Sequence, residues 1–220
     1  MKPARTGPAD GRTAVSVHEQ AEESTSTAAL PDRLIGWILT IGGLVGALAA
    51  FVLAVEKIAL LKDPAYTPTC SINPLLSCGS IMSTDQAEVF GFPNPLIGLA
   101  TFPVVAATGA AVLARVHLPR WWWLALQAGA TFGVGFVHWL FFQSLYRIGA
   151  LCPYCMVVWV VMIVLFSYLT LHNLDRGHLP APRRATDALV RVHSVVPTLW
   201  LLLLAALIGV EFWSYWRTLI

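Results

Sequence analysis

The sequence predicts an all-α membrane protein of five transmembrane helices, four of them gathered in a bundle and the fifth packed outside it. Three observations carry that expectation. Only 12% of the 220 residues are charged, against about 25% in an ordinary soluble domain. Mean hydropathy is high, at +0.68. Five separate apolar stretches each reach the roughly 20 residues needed to cross a hydrocarbon core. Backbone groups in lipid must be satisfied inside the segment, so such stretches are helices and not open sheet.

The elements follow in order. Residues 1–32 are rich in Ala, Ser, Thr, Glu, Pro and Gly and are expected to form a disordered cytoplasmic tail. They lack the short apolar region of a signal peptide. The spans are expected at about Ile35–Val55, Pro95–Ala114, Trp121–Tyr146, Leu151–Leu171 and Pro197–Tyr215, within an integral membrane domain covering 33–220. The first four contain no Asp, Glu, Lys or Arg.

Basic residues orient the spans, because cytoplasmic loops carry an excess of Lys and Arg. Lys2, Arg5, Arg12 and Arg33, then Arg115 and Arg120, then Arg176, Arg183, Arg184 and Arg191 all fall on one side of a five-span chain. That side is expected to be cytoplasmic. The loop 56–94, the turn at Arg147–Ala150 and the C-terminus then face outward, as in an inner (plasma) membrane protein. Trp121, Trp122 and Trp123 fit an interfacial belt. A net charge of +2 is too small to argue for nucleic acid. Gln127, His138 and Gln143 are too sparse to line a transport path.

The chain has four cysteines, and all are expected on the outer face. Cys70 and Cys78 lie in the loop after span one, and Cys152-Pro153-Tyr154-Cys155 opens span four. Pro is tolerated in a first helical turn, and the N-terminal end of a helix favours a thiolate at Cys152. Arg147 is near enough in sequence to add positive charge. A mobile loop bearing Cys70 and Cys78 could serve a soluble partner on one side and the Cys152–Cys155 pair on the other, as sequential thiol–disulfide exchange requires. Two permanent braces in a non-enzymatic scaffold, or an all-thiolate zinc site, are the structural alternatives. Zinc prefers two short knuckles, and Cys70 and Cys78 are too far apart for one.

On these cysteines, with Ser83-Thr84, Phe90-Gly91 and Asn94 between them, the stretch 33–175 resembles the vitamin K epoxide reductase family in its bacterial form. The resemblance implies a quinone-dependent thiol–disulfide oxidoreductase that supports disulfide bond formation, with the bundle holding the redox site. Cys70 would exchange with a separate periplasmic thioredoxin-like thiol oxidase, since no thioredoxin-like domain follows span five before Ile220. Cys78 would pass electrons to Cys152, and Cys155 would face a membrane quinone, menaquinone or ubiquinone, with no metal. The resemblance assigns Thr84 as a hydroxyl near the cysteines and Asn94 as a donor to a quinone carbonyl. Trp159 stands where vertebrate enzymes have Tyr. Its indole N–H donates but cannot accept or ionise, which counts against epoxide chemistry; a quinone or quinone-epoxide reductase drawing on thiols is the alternative role. Residues four apart share a helix face, so Trp159 is expected beside Cys155.

Plain structural roles compete for several of these residues. Asn94, between Pro93 and Pro95, could be an N-cap, as could Thr84 beside Asp85. Trp159 could merely pack. A lone His138 is expected to be satisfied by a backbone carbonyl, and Gly133 and Gly135 to permit close helix contact.

Overall fold

The computed structural model describes residues 30–217. Helix α1 (Asp32–Lys62) begins after Pro31 with Asp32 in its first turn, where a carboxylate suits the helix dipole. Its 31 residues make about 46 Å of helix at 1.5 Å per residue, longer than a hydrocarbon core of about 30 Å. The sequence places the end of span one at Val55; the helix in fact continues through Glu56 and Lys57 to Lys62. The start of the expected loop, residues 56–62, is therefore helical stem.

A five-residue helix, α2 (Cys78–Met82), and a single 3-10 turn (Asp85–Glu88) follow in the segment between α1 and α3, at the end of the bundle labelled outer after the sequence expectation, the opposite end being labelled inner. Helix α3 (Pro95–Leu113) carries Pro95 at its first position. Helix α4 (Arg120–Gln143) runs into a π-helical turn, Ser144–Ile148, that stops at Gly149 in the left-handed region, φ 70°, where glycine has no steric penalty. Helix α5 (Pro153–Asp175) starts with Cys152 at the capping position. Helix α6 (Arg183–Arg191) meets α7 (Val195–Glu211) at a 63° bend. Four helices (α1, α3, α4 and α5) are long and apolar enough to cross a membrane, and the bent α6–α7 pair makes a fifth candidate. The described chain is all-α and multi-pass, with no strand among the described residues.

Helix α1 packs along α3 and α5, α4 along α5, and α7 against the outside of α5. The α1–α3 seam is built from small residues. A Cβ on Gly43 would stand 2.5 Å from the Ala106 backbone nitrogen, and one on Gly109 would collide with Thr40. Without a hydrophobic drive between helices in lipid, such backbone approach is what lets them associate. The expected close helix contact is not made through Gly133 or Gly135: a Cβ on Gly133 would meet only the flexible end of Met162, and nothing approaches Gly135.

The inner end is closed by polar bonds between spans. Asn173, fully buried, donates to Gln127 Oε1 at 3.0 Å, and Gln127 donates to Thr170 at 2.9 Å. His178 Nδ1 bonds Asn173 Oδ1 at 3.0 Å. Arg176 pairs with Asp32, and Arg120 donates to the His178 carbonyl at 2.8 Å.

Two local expectations change here, and a third holds. Leu30 and Asp32 belong to the fold rather than to a tail: Leu30 packs on Leu171 and Val190. The remainder of the expected tail, 1–29, lies outside the described residues. Trp121 is exposed, but Trp123 is buried against His172, ring centroids 4.2 Å apart, so only part of the tryptophan run can serve as a belt. His138 does bond a backbone carbonyl, Val134 O at 2.7 Å, and its other nitrogen accepts the Trp200 indole N–H at 2.9 Å, which fastens α7 to α4.

Candidate functional site

Both cysteine pairs meet at the outer end of the bundle. Asn73 Oδ1 accepts from the Leu75 and Leu76 amides at 3.0 and 2.7 Å, closing a side-chain turn that Asn favours. The chain then pairs with the segment before α5: Leu151 N–H donates to Leu75 O at 2.7 Å and Ser77 N–H to Leu151 O at 2.9 Å. This single parallel bridge, Leu76 to Leu151, sets Cys78 beside Cys152. Ser77 then caps α2 by accepting from Ser80 N–H at 3.2 Å.

Cys70 and Cys78 are joined in a disulfide. Cys152 and Cys155 are free thiols. The Cys78 and Cys152 sulfurs lie 3.1 Å apart, inside the roughly 3–3.5 Å at which reacting atoms are poised. Cys70, Cys78 and Cys152 are 5%, 0% and 1% exposed, so the loop expected to be mobile is docked. The bridge, the disulfide and two α1 side chains hold it.

The Cys152 thiol is drawn below the usual thiol range, first by a hydrogen bond with Cys155 and also by the backbone amides of Cys155 and Tyr154, against a burial effect that pushes the other way. The two amides supply the helix-start effect expected from its position, but the larger influence is the Cys155 thiol. Arg147 is exposed on the π-turn and is not among the groups acting on Cys152. Three sulfurs, those of Cys70, Cys78 and Cys152, lie within 4.8 Å of one another. A zinc site needs free thiolates, and two of these are spent on each other.

Cys155, one turn into α5, opens onto a cavity of about 570 Å³ between α1, α3, α4 and α5. Its wall is almost wholly apolar, including Leu53, Phe102, Phe136 and Trp159, with Lys57, Gln86, Asn94, Thr101, Gln143 and Ser144 among its few polar residues. The Trp159 ring is buried and held edge-on by Phe141, centroids 5.0 Å apart. A large apolar chamber with a thiol and a few amides at one end fits a lipid-soluble ring and its chain.

Asn94 lines this cavity but its side chain makes no helix cap. It organises the loop instead, accepting from Val89 N–H at 3.3 Å and donating to Gln86 O at 2.7 Å. Thr84 does not line the cavity. Its hydroxyl donates to Ile81 O at 2.7 Å, and its side chain does not cap the 3-10 turn either.

Sequence reasoning passed over Glu56 and Lys57. Each is buried, 6% and 7% exposed, and bonded to the outer segment. An acid–base dipeptide at the end of an apolar run looks like an ordinary span boundary; the signal that sets it apart is the length of α1 beyond the membrane.

Fold and site together define a class: a membrane helical bundle holding a four-cysteine thiol–disulfide centre beside an apolar chamber. Residues 37–170 match the vitamin K epoxide reductase family, and the chain belongs to that family. The family's chemistry is quinone-linked thiol oxidoreduction. Comparison with curated proteins finds no match.

Proposed function

We propose that the protein oxidises a separate thioredoxin-like partner on the outer face of the plasma membrane and passes the electrons to a membrane quinone. The observation that carries this reading is the 3.1 Å approach of Cys78 to Cys152, with Cys155 of the second pair on the chamber wall.

The chain's own sulfurs do the work in two exchanges. A partner thiolate attacks Cys70, the Cys70–Cys78 bond breaks, and the partner leaves as a disulfide with Cys70 and Cys78 reduced. Cys78 then attacks Cys152 of the oxidised second pair, Cys155 leaves as thiolate, and Cys70 resolves the mixed disulfide. The net result moves two electrons and two protons to Cys152 and Cys155. A quinone in the chamber would accept that pair of electrons and protons. Asn94 and Trp159, both on the chamber wall, would supply N–H donors to orient it; Asn94 has an amide hydrogen beyond the one committed to Gln86. The apolar wall excludes water from Cys155.

Cys70 must become reachable for the first exchange, since it is 5% exposed with the loop docked. Orientation follows the positive-inside rule, which places the sulfurs where disulfides persist. The test is trapping. Cys78→Ala should accumulate a mixed disulfide between Cys70 and a soluble thioredoxin-like protein, visible on gels run without reductant. No adduct from Cys78→Ala, together with thiol oxidation that continues after quinone is stripped away, would sink the reading.

A further inference from the structure

Glu56 and Lys57 are consecutive residues on α1, both buried at its outer end. Neighbours in a helix do not face each other, and each of these charges is satisfied by a different part of the outer segment. Glu56 accepts from Tyr66 Oη–H at 3.0 Å, from Thr69 N–H at 3.3 Å and from the Thr69 hydroxyl. Thr69 immediately precedes Cys70. Lys57 donates to Met82 O at 2.6 Å and pairs with Glu88 at 2.9 Å. Met82 ends the helix that Cys78 begins. One charge therefore grips the arm carrying Cys70, and the next grips the arm carrying Cys78.

The grip on the Cys70 arm bears on the closed Cys70–Cys78 bond, where a partner has to reach that sulfur. The grip on the Cys78 arm matters once the bond is open. In the reduced state no covalent link joins the two arms, yet Cys78 must stay beside Cys152 for its sulfur to bond there as the Cys152–Cys155 bond breaks and Cys155 departs as thiolate. The rate of such an exchange depends on how closely the two sulfurs are held together. Buried, charge-assisted hydrogen bonds are strong enough to do the holding.

We infer that Glu56 and Lys57 are positioning residues that divide the centre between them: Lys57 keeps Cys78 against Cys152 once the Cys70–Cys78 bond is open, and Glu56 governs how readily Cys70 presents itself to a partner. This rests on the exchange sequence proposed above.

The experiment reads each arm separately in native membranes, with neither quinone nor partner. In a Cys70→Ser, Cys155→Ser chain only Cys78 and Cys152 remain, and oxidation by diamide closes a disulfide between them. Lys57→Met should slow that closure about tenfold, Lys57→Arg should restore most of it, and Glu56→Gln should leave it within about twofold. In a Cys78→Ser, Cys152→Ser chain, alkylation of Cys70 by a water-soluble maleimide should quicken about tenfold with Glu56→Gln and hold steady with Lys57→Met. Should Lys57→Met fail to insert, Glu88→Gln removes one of the two Lys57 partners and should slow closure in the same direction. Failure of Cys78 and Cys152 to close in the parent would overturn the exchange reading itself. Normal closure in the parent, with neither variant shifting its own readout or with both shifting the two readouts alike, would overturn the division of labour and leave the exchange reading standing.

Discussion

The two ends of the bundle bury polar groups for opposite purposes. At the inner end Asn173, Gln127, Thr170 and His178 bond one another across spans and their flanks. The partners are other parts of the helical frame, so the network locks helices in place. At the outer end the buried charges of α1 bond loop segments instead, and those loops carry the Cys70–Cys78 disulfide, which the proposed function has exchanging with a partner. The difference teaches that burial alone does not mark a functional polar group; what its partner is attached to does.

Four outcomes break or sharpen that contrast. The largest belongs to the outer end. Cys152→Ala or Cys155→Ala should reduce dithiol-driven quinone reduction to background in membranes while leaving the unfolding midpoint in detergent close to that of the parent. Retained turnover in either variant would place the chemistry elsewhere. The inner end should respond the other way. Asn173→Ala should lower stability by about 2–3 kcal/mol, because it strips a fully buried side chain from several partners, with turnover per folded molecule little changed.

A smaller effect separates packing from ligand contact at the chamber wall. Trp159→Phe keeps an aromatic ring against Phe141 but removes the indole N–H. It should raise the KM for quinone about threefold to tenfold, the worth of one hydrogen bond, and leave Cys78–Cys152 closure unaltered. An unchanged KM would reduce Trp159 to packing.

The smallest effect is a pH dependence. His178 is held below its ordinary pKa of 6.5, first by burial and then by the Arg120 and Arg176 guanidiniums. The unfolded chain therefore binds this proton more readily than the folded one. The corresponding stability is complete above pH 6.5 and declines as pH falls from there through the lowered value. His178→Gln should flatten that part of a stability–pH curve measured by thermal melting. An identical slope in parent and variant would remove His178 from the account.

Much of the architecture was legible because its signals are local. Long apolar runs with no charge need no partner to be recognised, and counting them sufficed to bring Cys70 and Cys78 to the same end as Cys152 and Cys155. Trp159 follows from helical periodicity, four residues beyond Cys155, and it does line the chamber. Asn94 was legible as a residue of interest but not in its bonding, since a cap and a loop tie look alike until Gln86 and Val89 are in position. Thr84 was drawn in by the family resemblance, and the turn at Ile81 leaves it off the chamber wall.

By itself, then, the sequence determined the solvent this protein folds in, the number of apolar crossings and the four sulfurs available for chemistry, because each depends on composition or spacing within one segment. Only the tertiary structure decided that the loop is docked and not free and that Glu56 and Lys57 grip separate arms; it also put a distance of 3.1 Å on the meeting of Cys78 and Cys152 that the family resemblance implied. Those facts depend on bonds between residues far apart in the chain, such as Leu76 with Leu151 and Lys57 with Glu88. A hydrogen bond across such distances is specified by where the helices bring its ends, and no local pattern records it.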